Sequence, residues 1–377
     1  GTYLAINRGR TPQRQPEPFA YRMTAVASRV ILFRMMHIVL LGSAALAPAL
    51  RGLGHRVLTL GCMGEGFDIP LRHPLSAATF RSLLADRSFK PDLLVLADEG
   101  NVPLVGGLEC LPWPQIFFSI DTFCNPWHVP FAHAFELALV AQRDFVPLFV
   151  DEGHAARWFP LFCRVTVSAQ SPEEWLAARD IPVAFVGTLN PANIPDRQSF
   201  LNAFRALHPL VCLQGDFVPV FQRARIVLNQ TAAGEVNYRC LESMGCGAAL
   251  LHDSREHGFT ELFVEGVNVL PPYLRLRAET AAASAREALA RPYELAELAL
   301  AGRELAAARH TGEARARELC TLAEPLLGSR AHEARLATLP RRRRLVSSAY
   351  GTLAAELPDS LAPLRDFYRD AAVQAYG

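Results

Sequence analysis

From residue 36 to about residue 150, short apolar runs alternate with longer helix-forming stretches, and the same alternation restarts near residue 181 and continues to about 270. A chain written this way buries its apolar runs on both faces, which calls for parallel sheets covered by helices. The first series predicts strands at residues 36–41, 55–60, 93–97, 115–119 and 145–149, with a helix at 131–141. The second predicts strands at 183–187, 210–213, 226–229, 248–251 and 267–270, with helices at 196–207, 237–245 and 258–263. The fold class is α/β, with two Rossmann-like lobes whose parallel sheets face a cleft. Residues 1–35 read as a poorly ordered extension, 36–160 as the first lobe, 161–180 as a linker and 181–330 as the second lobe. Residues 331–377 read as a basic segment and helical tail, whose arginine run 341–344 is expected to be a solvated linker or helix end, with an anion site as the alternative.

Composition narrows the function. The 38 basic and 37 acidic residues balance to a net +1, so no overall field draws the chain to nucleic acid. Lys90, between Phe89 and Pro91, is the only lysine, which excludes a phosphate loop of the Gly-Lys-Ser/Thr type and a kinase strand lysine. The eight cysteines show neither C-x-x-C spacing nor a disulfide ladder, so a reducing, cytoplasmic setting is expected, with no metal site. Residues 34–47 imitate a signal peptide, but the helix and apolar strand that follow favour the opening β-α-β of a nucleotide-binding lobe. No apolar run is long enough to span a membrane.

Ligands of open α/β sheets bind where strands end at the cleft. The turn after the first strand has Gly42 followed by Ser43-Ala-Ala-Leu-Ala, without the glycine pattern of a dinucleotide site. No D-x-D motif occurs, so a diphosphate must be neutralised by the protein without a metal or other cofactor. The stretch 226–251 is a strand, a small-residue loop, a helix that Asn237 should cap, and a second strand. Arg239 in its first turn, with the helix dipole, suits a diphosphate, and Glu242 is placed to accept from ribose hydroxyls. The plainer reading of Arg239 and Glu242 is an i, i+3 surface ion pair.

The block Asn237-Tyr-Arg-Cys-Leu-Glu-Ser-Met-Gly-Cys-Gly resembles the signature Asn-x-Arg-x-x-Glu-Ala-x-x-Cys-Gly of CgeB-like spore-maturation glycosyltransferases. Ser119-Ile-Asp-Thr with His128, Val140-Ala-Gln-Arg-Asp, Arg157-Trp-Phe-Pro-Leu-Phe-Cys, Ala184-Phe-Val-Gly-Thr and His310-Thr-Gly-Glu-Ala-Arg are similar to further family segments in the same order. The resemblance spans about residues 36–327. It implies the GT-B fold and a nucleotide-diphosphate sugar held by Gly42, Ser43, Gly187, Thr188, Asn237, Tyr238, Arg239 and Glu242. It departs from the family where the linker reads Phe162-Cys-Arg-Val instead of Ala-Cys-Asp-Pro. In the related Glu-x7-Glu pattern the first glutamate would fall on Gly234, with Glu235 one place off.

Asp121, directly after the strand at 115–119, and His128, in the Pro/Trp-rich loop beyond, are the candidates for catalysis, since sugar transfer to a hydroxyl needs a base or an orienting partner. The leading expectation is a metal-independent transferase that moves a sugar from a nucleotide-diphosphate donor to an unidentified acceptor. A sugar-nucleotide epimerase of the same fold and a non-catalytic sugar-nucleotide-binding protein in polysaccharide or spore-coat assembly are the alternatives.

Overall fold

In the computed structural model, the residues described are 34–376, apart from 63–65, 99, 101 and 190–193. The expectation for residues 1–33 lies outside the described residues. The first lobe contains β1 (His37–Leu41), β2 (Arg56–Cys62), β3 (Ile69–Leu71), β4 (Leu75–Ser76), β5 (Leu93–Ala97), β6 (Val105–Gly106), β7 (Gln115–Ser119), β8 (Leu137–Val140) and β9 (Ala156–Trp158). Seven of these form a parallel sheet in the order β3-β2-β1-β5-β7-β8-β9, and β4 pairs with β6 beside it. β5, β7 and β8 are almost entirely buried, as the sheet interior requires.

Two elements of the first lobe differ from the sequence expectation. Residues 145–149 do not form a strand; Val146–Asp151 is a helix with a proline in its first turn, where the missing N–H costs nothing. The strand lies earlier, at β8, inside the stretch 131–141 expected to be helix. Its four residues are buried and pair with β7, so packing overrides helix propensity. The Trp158 segment is the sheet's last strand as well as the start of the connection between lobes.

The second lobe has β10 (Ile181–Val186), β11 (Val211–Leu213), β12 (Ala224–Leu228) and β13 (Ala249–Leu251), parallel in the order β11-β10-β12-β13. The expected strand at 267–270 reduces to a single bridge between Glu265 and Val269. Helices Arg197–Leu207, Ala278–Leu289 and Pro292–Arg309 carry alanine, leucine and phenylalanine into its core.

The chain then returns to the first lobe. Helix Gly312–Gly328 places Cys320 Sγ 3.2 Å from His55 Nε2 and sets Gly312 against Ala49. The tail is an integral layer of the first lobe instead of a solvated face. Arg335 is fully buried and donates to Leu111 O and Trp113 O at 2.8 Å and to Glu136 Oε1 at 2.5 Å. Tyr350 in helix Leu339–Glu356 accepts the Gly107 N–H at 2.8 Å, and Val346, Tyr350, Leu353 and Tyr368 join the core under the sheet. No described helix is long and apolar enough to cross a membrane.

Candidate active site

A hollow of about 250 Å³ opens between the carboxyl ends of the two sheets. Its wall includes Asp121 and Gln142 of the first lobe, Leu161 and Arg164 of the connection, and Glu235, Asn237 and Tyr238 of the second lobe. Gln142, almost fully buried, bridges the lobes: its Nε2 donates to Val236 O at 3.1 Å and its Oε1 accepts from Val236 N at 2.9 Å. One side chain thus satisfies a loop residue's backbone donor and acceptor across the cleft, as a sheet neighbour would.

The second lobe's contribution is built from Arg239 outward. Its Nε donates to Val186 O at 3.0 Å and its Nη1 to Asn229 Oδ1 at 2.8 Å, while the guanidinium lies 4.3 Å from the centre of the Phe185 ring. This lays the group across the end of β10. Gly187 leaves room for it, because a Cβ there would collide with Nη2. Nη2 has no hydrogen-bond partner among the described residues. The surface ion-pair reading of Arg239 therefore does not describe its contacts.

A second guanidinium meets the same ring. Arg197, buried, sits 5.6 Å from the Phe185 centre and donates to Thr188 O at 3.0 Å and to Gln230 Oε1 at 2.8 Å. Burial, followed by the like charge of Arg239, pushes its pKa down to about 10, and burial lowers that of Arg239 as well. Two poorly solvated positive charges at one strand end create a local potential that an anion relieves.

Asn237 occupies the position before helix Tyr238–Gly245, but its side chain does not cap the helix. It donates instead to Asn229 Oδ1 at 3.1 Å, which ties the loop to β12. Tyr238 lies under the Arg164 guanidinium at 4.8 Å, and Arg164 Nε is 4.0 Å from Glu242 Oε1. Tyr238 also shares a narrow hollow with Ser43, whose hydroxyl accepts from Ala45 N at 3.1 Å. Gly42 meets β5 so closely that a Cβ would strike Ala97 O, and its φ of 81° suits glycine. Its requirement is backbone approach. Thr188 is exposed at the mouth of the loop after β10.

In the first lobe, Asp121 reaches the cleft and His128 does not. His128 is wholly enclosed, edge-on to Phe117 and Trp127, with Nδ1 hydrogen-bonded to Ser119 Oγ at 2.8 Å and Nε2 3.3 Å from Asp98 Oδ2. Asp98 in turn accepts from Asp121 N at 3.3 Å and Gly100 N at 3.0 Å. His128 therefore lies outside the cleft, behind the Asp98 carboxylate that accepts from the Asp121 backbone.

The sequence offered no site role for Gln142, Arg164 or Arg197, and Glu235 was noted without one. Glu235 lines the cleft and accepts from Ala232 N at 3.1 Å and Ala233 N at 2.7 Å, so its carboxylate turns the loop it belongs to. Its offset of one from the Glu-x7-Glu spacing is the signal that pointed to it.

Residues 177–321 match a family model described as "Glycosyl transferase-like". Residues 177–321 of the second lobe thus form a glycosyl transferase-like domain. The chain is similar in structure to Anabaena HepE, solved in complex with UDP-glucose, with a TM-score of 0.57 at 13% identity over 77% of this chain and 100% of that one. Sucrose-phosphate synthase from Thermosynechococcus elongatus superposes with a TM-score of 0.53 at 12% identity, covering 78% and 100% of the two chains. A glycosyltransferase from Rickettsia africae ESF-5 gives 0.54 at 8% identity, covering 78% and 99%. These likenesses establish the GT-B fold. No curated protein matches this chain by sequence.

Proposed function

We propose that the enzyme transfers a sugar from a nucleotide-diphosphate donor to an acceptor hydroxyl without a metal ion, and that it is a CgeB-like member of the GT-B glycosyltransferases. The observation that carries this reading is the pair Arg197 and Arg239 on the Phe185 ring, where β10 ends beside the cleft. The bond between the anomeric carbon and the β-phosphate oxygen breaks, and the negative charge of the leaving diphosphate falls to Arg239 and the start of helix Tyr238–Gly245. The acceptor oxygen forms the new bond, and Asp121 takes its proton. Glu235, Asn237 and Tyr238 line the hollow between donor and acceptor and are the polar groups offered to the sugar and ribose. Ser43, Gly187 and Thr188 flank them.

HepE was solved with UDP-glucose, which makes a uridine diphosphate sugar the first donor to try. All eight cysteines are free, in keeping with a cytoplasmic enzyme. The test is donor hydrolysis without acceptor, measured over several nucleotide sugars. Release of free sugar supports the transferase; interconversion of sugar configuration without release would indicate the epimerase, and binding without either reaction the non-catalytic protein.

A further inference from the structure

A cavity of about 590 Å³ lies on the first lobe, between helix Ala77–Asp86, the segment around residues 106–111 and the two last helices of the tail. None of its lining residues belongs to the cleft that holds Asp121 and Tyr238. One member of the four-arginine run points into it, and its hydrogen bonding is unlike that of its neighbours. Arg342, beside it, donates from Nη1 to His133 O at 2.9 Å and Phe135 O at 3.2 Å and from Nε to the Thr338 hydroxyl at 3.2 Å. Arg343 makes one hydrogen bond, from Nη2 to Cys110 Sγ at 3.2 Å, and a thiol is a weak acceptor.

Arg343 Nε is enclosed without any acceptor in hydrogen-bond geometry, the nearest carboxylate oxygen, Glu109 Oε1, being 3.9 Å away. Glu109 is engaged elsewhere: its Oε2 accepts from the Tyr350 hydroxyl at 3.4 Å. On the facing wall Arg81 has no hydrogen bond or ion pair with any described residue. An enclosed donor left without an acceptor, as at Arg343 Nε, is costly and points to a missing partner. Two guanidinium forks on one cavity suit the oxygens of a phosphate or carboxylate.

The rest of the wall narrows the class. Asp370 opposes a bare anion, but with Gln374 it supplies the mixed acceptors and donors that sugar hydroxyls use, and the Phe367 ring, packed on Gly106, gives an apolar face. The volume falls in the range of small-molecule sites. We propose that this cavity is a second binding site, for a sugar that carries a phosphate or carboxylate group, with Arg81 and Arg343 on the anion and Asp370 and Gln374 on the hydroxyls.

Calorimetric titration of the full chain with glucose 6-phosphate, tetragalacturonate and glucose tests the site and separates a sugar phosphate from an acidic glycan. At least one anionic probe binds, with glucose tenfold or more weaker. Arg343→Ala and Arg81→Ala each weaken that binding at least tenfold, while UDP affinity stays unchanged. Should Arg343→Ala fail to fold, Arg81→Ala, at an exposed position, decides. The proposal is overturned if neither anionic probe binds, if glucose binds equally well, or if Arg239→Ala abolishes binding that Arg343→Ala and Arg81→Ala leave intact. That last result places the probe in the cleft and leaves the donor reading standing.

Discussion

Replacing Arg239 by alanine separates a ligand-binding arginine from a structural one, because the structure allows both costs to be estimated. In the free protein the variant loses the bonds to Val186 O and Asn229 Oδ1 and the contact with Phe185. Asn229 Oδ1 keeps Asn237 Nδ2 as a donor, and repulsion with Arg197 is relieved. The stability cost is therefore modest, about 2 kcal/mol from two hydrogen bonds of about 1 kcal/mol each. The binding cost comes on top, since Nη2, at the place a Gly187 Cβ would occupy, loses its charged partner. A charge-assisted bond contributes about 1.5 to 3 kcal/mol, which is roughly a tenfold to 150-fold weaker dissociation constant. Calorimetric titration with UDP, with the thermal midpoint of each protein recorded beside it, reads the two costs separately. A folded Arg239→Ala protein that binds UDP as tightly as the wild type would show that Arg239 only packs the end of β10.

Asp121→Asn should lower turnover about 100-fold with UDP affinity nearly unchanged, the usual loss for a positioned base, and unchanged turnover withdraws Asp121 from the chemistry. His128→Ala should lower the thermal midpoint and turnover together, because it empties a buried site behind Asp98; loss of turnover at full stability would restore a direct role. Acid should destabilise the fold. Burial pushes His154 down to about 3 and His252 and His310 to about 4, against an ordinary value of 6.5, so protons bind first to the unfolded chain. The stability these groups provide is complete above pH 6.5 and falls as pH drops from there toward 4, by about 1.4 kcal/mol per pH unit for each. Denaturant midpoints that stay flat from pH 7 to pH 5 would contradict this.

What could be read from the sequence is what is local. The stretch 226–251 encodes its own strand, loop, helix and strand, and the structure reproduces that order with Asn237 at the head of the helix. The direction of the Asn237 side chain was not legible, because Asn229 competes with the helix amides for it. Arg197 was invisible for the same reason: it lies 42 residues before Arg239 in the chain, and only β10 brings both onto Phe185. The misplaced strand at 145–149 shows the limit of apolar runs, where Pro147 decided for helix and burial made Leu137–Val140 the strand. His128 was found by its residue type and its distance from Asp121, but burial, which moves it behind Asp98, is a tertiary fact. The tail gave no hint of its docking, since Arg335 reads as a surface charge until its carbonyl partners are known.

The central claim is that the protein itself, through Arg197 and Arg239, supplies the positive charge that holds a nucleotide diphosphate. Titration with UDP, GDP, ADP and dTDP in the presence of EDTA tests it most directly. The account predicts that at least one diphosphate binds with one-to-one stoichiometry and that added magnesium or manganese leaves the affinity unchanged. Binding that appears only once the metal is restored, or no binding by any of the four, contradicts it.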